Sequence, residues 1–221
     1  MTNALAAGQL PPKPMMDALH EVCSQCKEKK VRILVNAEAH IYLKGIFLVG
    51  MELARGYNRD GYALVYNTYQ AYLKSTVQTL MSHLEAAREE GFNLGVKVVR
   101  GAYMASDQRS LIHDTKQETD DAFDSIWQGV LQRQLGKLGA PGSVPFPSVD
   151  LFLASHNRES LVSAHRMHSD RANRGHPTVR LGFAQLQGMS DSLSLELIQM
   201  TNSGVSVPDV YKCSTWGTLS V

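Results

Sequence analysis

Short β-rich runs alternating with helix-length stretches predict an α/β fold of the (β/α)8 barrel type, with about six of the eight strands supplied by residues 1–221. Strand–helix alternation implies parallel pairing through right-handed crossovers, a property that doubly wound sheets share. Two further observations favour the barrel. A polar cluster closes every run, as expected when one site is assembled at the C-terminal face of a barrel. No GxGxxG or GxxxxGK[ST] phosphate loop occurs anywhere, although a doubly wound nucleotide-binding sheet would normally carry one. The chain is 43% hydrophobic and 19% charged, which suffices for a substantial core, and it reads as one partial barrel domain.

The first run, VRILV at 31–35, meets Asn36-Ala37-Glu38 and then an amphipathic stretch to about Tyr57. YALVY at 62–66 meets Asn67-Thr68-Tyr69-Gln70, and the following helix reaches Glu90, where Gly91 stops it. GVKVV at 95–99 ends in the RGAY tip, with a polar helix from Lys116 to Leu135. The Pro- and Gly-rich segment 140–147 is a connecting loop. VDLFLA at 149–154 meets Ser155-His156-Asn157, where Asn157 suits the N-cap of a helix starting near Glu159. VRLGFA at 179–184 meets Gln185-Leu186-Gln187-Gly188 before a helix from about Ser190. VPDVYK at 207–212 ends in Cys213-Ser214-Thr215-Trp216-Gly217.

Composition excludes several function classes. A net charge of +1 gives no broad field for nucleic acid or anionic lipid, so any anion site must be local. No run of 18 apolar residues suggests a membrane span, and the first 31 residues, without arginine or a long apolar stretch, resemble neither a transit peptide nor a secretory signal. Three cysteines fit a reducing compartment better than a disulfide framework. Cys23 and Cys26 have CxxC spacing but lie in a charged helical stretch with no second ligand pair, and no HExxH or EF-hand loop supports a metal.

The third tip carries the most unusual chemistry. Strand geometry puts Lys97, Val99 and Gly101 on one face and Val96, Val98 and Arg100 on the other, so one cation enters the barrel and the other leaves near its rim. Such a pair can hold an anion or stabilise the negative charge on a reduced cofactor; equally, Lys97 can snorkel and Arg100 can pair with a helix carboxylate. Gly101 permits close approach to the backbone. His156 stands where an imidazole could meet a cofactor, and Gln70 and Gln185 could donate to a ring carbonyl or merely satisfy rim backbone. His113, His165 and His168 sit at no strand tip and read as surface or helix histidines.

Taken in order, NAE, NTYQAYLK, VKVVRGAYM, LASHNRES, AQLQGMSD and YKCSTWG resemble the proline dehydrogenase family over nearly the whole chain, most closely its fungal mitochondrial type. RGAY, SHN and QLxGM together are far more specific than any one of them. The resemblance implies a flavin-binding TIM-type barrel that oxidises L-proline to Δ1-pyrroline-5-carboxylate, reduces FAD and passes electrons to a quinone, in association with the surface of the mitochondrial inner membrane. By position, Gln70, Lys97, Arg100, Gly101, Tyr103 and His156 match family residues around the flavin. Asn36, Lys97, Tyr103 and Leu186 match the substrate side, Leu186 as a contact of the proline ring. Hydride transfer from proline to flavin requires no protein nucleophile, which agrees with the absence of a Ser-His-Asp or Cys-His arrangement.

Three departures stand beside the match. Asn36 replaces an aspartate of the family, Cys213 replaces a tyrosine, and the paired arginines of the family's YLxRR motif do not occur before Val221. The chain therefore reads as truncated at both ends, and residues 1–221 alone are expected to show little proline-dependent dye reduction. The alternative to a catabolic enzyme is an inactive homologue that binds flavin or a protein partner. A Schiff-base lyase using Lys97 is a third reading, for which Arg100 and the SHN and QLxGM tips would not be needed.

Overall fold

The computed structural model describes residues 2–201 and 207–214; of the sixth tip, Thr215, Trp216 and Gly217 lie outside them. Helices α1 (Thr2–Ala6) and α2 (Lys13–Glu28) precede a repeating strand–helix order. That order runs β1 (Ile33–Val35), α3 (His40–Tyr57), β2 (Val65–Gln70), α4 (Thr76–Glu90), β3 (Leu94–Val99) and α5 (Lys116–Gln132). It continues through β4 (Val149–Ala154), α6 (Arg158–Asn173), β5 (Arg180–Leu186), α7 (Asp191–Thr201) and β6 (Asp209–Cys213). The six strands form one sheet in sequence order, every pair parallel. The sheet curls. Arg32, just before β1, donates to Asp209 at 3.1 Å and to the Tyr211 hydroxyl at 2.9 Å, both on β6, so the first and last strands approach each other across an interior.

Period-2 alternation sorts the side chains onto the two faces. Val96, Val98, Leu151, Leu153, Leu181 and Phe183 point outward into the main core beneath the helices, where they meet Leu80, Leu84, Phe123, Ile126 and Leu161. Leu34, Tyr66, Phe152, Ala154 and Ala184 form a separate interior cluster. Asn58, completely buried after α3, fastens two strand starts: its amide donates to the carbonyls of Val65 and Asn93, and its Oδ1 accepts from the amides of Leu64 and Val65.

Helix ends follow the local chemistry. Gly91 closes α4 in the left-handed conformation at φ +69°, Thr115 and Glu118 form a capping box on α5, and Asn157 caps α6 by accepting from the Ser160 amide. Three boundaries differ from expectation. β2 runs on through Asn67–Gln70, and β5 through Gln185 and Leu186, so residues read as polar tips belong to the ladder. Most of the polar side chains there find partners within the sheet or loops: Thr68 donates to the Val35 carbonyl at 2.7 Å, whereas the buried Asn67 Oδ1 has no protein partner. α5 ends at Gln132 rather than Leu135, because Arg133 takes φ +57° and turns the chain.

Buried histidines make the outer core acid-sensitive. His83 of α4 meets the Tyr69 hydroxyl at 2.8 Å beside Phe47, and burial, with Arg55 nearby, pushes its imidazole down from 6.5 to about 4. His165 and His168 lie on a helix, as read, yet both are buried, and burial lowers both. A depressed histidine pKa means that the unfolded chain binds protons first, so the stability present above pH 6.5 is lost as pH falls toward 4. His83 alone accounts for about 3 kcal/mol of that loss. Urea midpoints at pH 7 and pH 4.5 check this: His83→Gln is expected to show a clearly smaller drop than the wild type.

Candidate functional site

The C-terminal strand ends surround a cavity of about 590 Å³. Asn36, Gln70, Lys97, Arg100, Gly101, Tyr103 and His156 all line it, so seven of the sequence-selected positions come together. Leu186 is not in the lining. Its side chain is 48% exposed, and it joins the group through its amide, which donates to His156 Nε2 at 3.1 Å. A larger cavity, about 880 Å³, opens between Arg32 and Tyr211 and shares no residue with the first.

The two cations of β3 diverge as the alternation requires. Lys97, opposite Thr68 and Phe152 in register, faces the interior and donates to Asn36 Oδ1 at 2.9 Å. Burial lowers its pKa, with a weaker opposing effect from Cys213. Its partner is an amide rather than a carboxylate, so the ammonium charge is not cancelled within this contact. Arg100 turns toward α5 and α6: Nε donates to Asp120 at 2.6 Å, the two terminal nitrogens donate to Ser155 at 2.9 Å and Ser160 at 3.1 Å, and the guanidinium lies 4.3 Å above the Phe123 ring. Asp120 also accepts from Lys116, which lines the same cavity. These two partners hold its carboxyl below the usual range against the opposing effect of burial.

Neutral groups complete the wall. Gln70 spends its amide on two loops, donating to the Glu38 carbonyl at 3.1 Å and accepting from the Ala102 amide at 3.3 Å. Tyr103 and Glu38 both line the cavity. His156 Nε2 accepts from the Leu186 backbone amide at 3.1 Å. Gln185 is turned away toward α7, where it accepts from Ser194 at 2.7 Å. Sequence reading missed Asp120, Ser160, Tyr72 and Asp107. The capping box at Thr115–Glu118 fixes the phase of α5, from which Asp120 could have been placed on the face toward the strand tips; no local signal marks the others.

The arrangement supplies an interior ammonium, fixed hydrogen-bonding groups and, in the lining, Lys116 paired with Asp120. It suits a ligand carrying negative charge.

The family model described as proline dehydrogenase matches residues 3–220. The probable mitochondrial proline dehydrogenase of Schizosaccharomyces pombe is 31% identical over 192 residues, covering 84% of this chain and 39% of that protein. The hydroxyproline dehydrogenase of Mus musculus is 35% identical over 212 residues, covering 92% of this chain and 43% of that protein. The crystal structure of proline utilization A from Bdellovibrio bacteriovorus, inactivated by N-propargylglycine, superposes with a TM-score of 0.72 at 22% identity, over 94% of this chain and 20% of that one. This chain therefore spans about two fifths of the two curated relatives.

Proposed function

Because this chain belongs to the proline dehydrogenase family, we propose that its cavity binds FAD and serves the oxidation of L-proline to Δ1-pyrroline-5-carboxylate, with electrons passed on to a quinone. The observation that carries this reading is the half-buried Lys97 ammonium on a neutral amide at the strand tips of a parallel barrel sheet. The donor set fits the cofactor: the interior Lys97 ammonium favours an anionic ligand, and about 590 Å³ is within the usual range for a ligand pocket.

FAD, when bound, supplies the two-electron acceptor for oxidation of the substrate C–N bond. The chain's own residues prepare the place. Lys97 presents fixed positive charge from the floor, where low dielectric strengthens it. The backbone from Gly101 to Tyr103 forms one wall, and His156 stands on the neighbouring tip, after β4. Arg100 supports the wall from behind by tying β3 to α5 and α6. The relative in fission yeast is named mitochondrial, and we place this protein in that compartment, at the surface of the inner membrane; among the described residues no helix is long and apolar enough to cross a membrane.

The test is dye reduction by the FAD-loaded intact gene product, with L-proline and hydroxyproline supplied in parallel because one relative is named for the latter. Proline-dependent reduction supports the proposal; flavin binding without turnover on either substrate would favour the inactive-homologue reading. A second expectation separates the two cations on Asp120. Arg100→Ala should lower retained flavin per folded chain by about tenfold, since it loses charge-assisted bonds, whereas Lys116→Ala at an 81% exposed side chain should change it little. Absorbance at the flavin band, normalised to soluble protein, gives the comparison.

A further inference from the structure

We propose that Tyr72 and Asp107 are positioning residues that pin the loop of residues 101–114 over the cavity, an inference that rests on reading the cavity as a flavin site. Tyr72 is 2% exposed just beyond β2. Its amide donates to the Arg100 carbonyl at 2.7 Å, and its own carbonyl accepts from the His113 amide at 2.9 Å, so one residue holds both ends of the loop. Gly101 crosses its ring so closely that an added Cβ would stand 2.0 Å from Cδ1, with φ +146° excluding most other residues.

The middle of the loop is tied through the hydroxyl. Tyr72 Oη donates to Asp107 Oδ2 at 2.5 Å, and Asp107 Oδ1 accepts from the His40 amide, at the start of α3, at 2.7 Å. The carboxylate is thus shared between a buried phenol and the helix end that favours negative charge. Between these anchors lie the residues that face the cavity: Ala102, whose amide donates to Gln70, and Tyr103. Neither Tyr72 nor Asp107 lines the cavity. Their effect reaches a ligand only through the backbone of Gly101–Tyr103, which the pin holds in a single place while a long exposed loop would otherwise sample many.

Three variants test the pin in the full chain: Tyr72→Phe, which keeps the ring under Gly101, Asp107→Ala and Asp107→Asn. Amide exchange of the FAD-free protein is expected to quicken about tenfold across residues 101–107 in Tyr72→Phe and Asp107→Ala, with β2 and β4 unchanged. The FAD dissociation constant should rise about tenfold in the same two variants, and less in Asp107→Asn, which retains one acceptor oxygen. Unchanged exchange in the loop overturns the pin. Faster exchange with unchanged FAD affinity overturns its role in the cradle. A wild-type chain that binds no FAD overturns the underlying flavin reading, and is told apart by that binding result from a failed pin, which shows in exchange alone.

Discussion

Lys97→Met is expected to reduce proline-dependent dye reduction by the FAD-loaded intact gene product by about ten- to a hundredfold, at little cost to folding. Methionine occupies similar space on the interior face of β3 and keeps the packing beside Thr68 and Phe152. It removes the interior ammonium and leaves Asn36 Oδ1 without its donor. Hydrogen bonds to a charged group are worth roughly 1.5–3 kcal/mol, which converts to that range of affinity or rate. Steady-state rates with flavin content measured on the same samples decide the point. Equal turnover per bound flavin in wild type and variant would remove Lys97 from the mechanism.

Gly95→Ala should cost about 3 kcal/mol of stability. Gly95 pairs with Tyr66 across the β2–β3 ladder, and an added Cβ would lie 2.3 Å from the Val65 carbonyl oxygen and 2.9 Å from the Tyr66 Cα. Backbone atoms inside a parallel sheet cannot step aside without breaking the ladder. The thermal midpoint should fall by roughly 6–12 °C for a chain of this size. Gly56→Ala provides the contrast: this position lies in α3 with open space where the Cβ would go, so the same change should be neutral or stabilising there. Equal midpoints for the two variants would mean that the β2–β3 contact is looser than described.

Much of this architecture is legible in the sequence because β-branched runs with period-2 alternation survive on both faces of a barrel strand. The separation of Lys97 from Arg100 follows directly from that period, and so does the burial of Val96 and Val98. Boundaries fail at Gln70 and Gln185 for a physical reason. A strand that ends at a polar site carries polar residues while still in the ladder, and these look like turn residues until their cross-loop partners are known. The direction taken by Arg100 remained open in the sequence, because a cation near a rim can serve a ligand or a helix; Asp120, Ser155 and Ser160 are its partners in the fold. The Tyr72–Asp107 tie was invisible because it joins residues 35 positions apart, one of them in an irregular loop.

Of the motifs that carry the resemblance, RGAY and SHN lie on the cavity wall, whereas QLxGM contributes no lining residue. The departures also acquire a geometry. Asn36, where the family has a carboxylate, is the direct partner of Lys97, so this cavity holds a cation on a neutral acceptor.

The central claim is that the strand-tip cavity is a flavin site, and equilibrium titration of FAD into the purified flavin-free chain tests it most directly. Saturable one-to-one binding is expected, weakened about tenfold or more by Lys97→Met while Gly56→Ala binds as the wild type does. Absence of saturable binding to a folded wild-type chain, or identical affinity in the Lys97 variant, would contradict it.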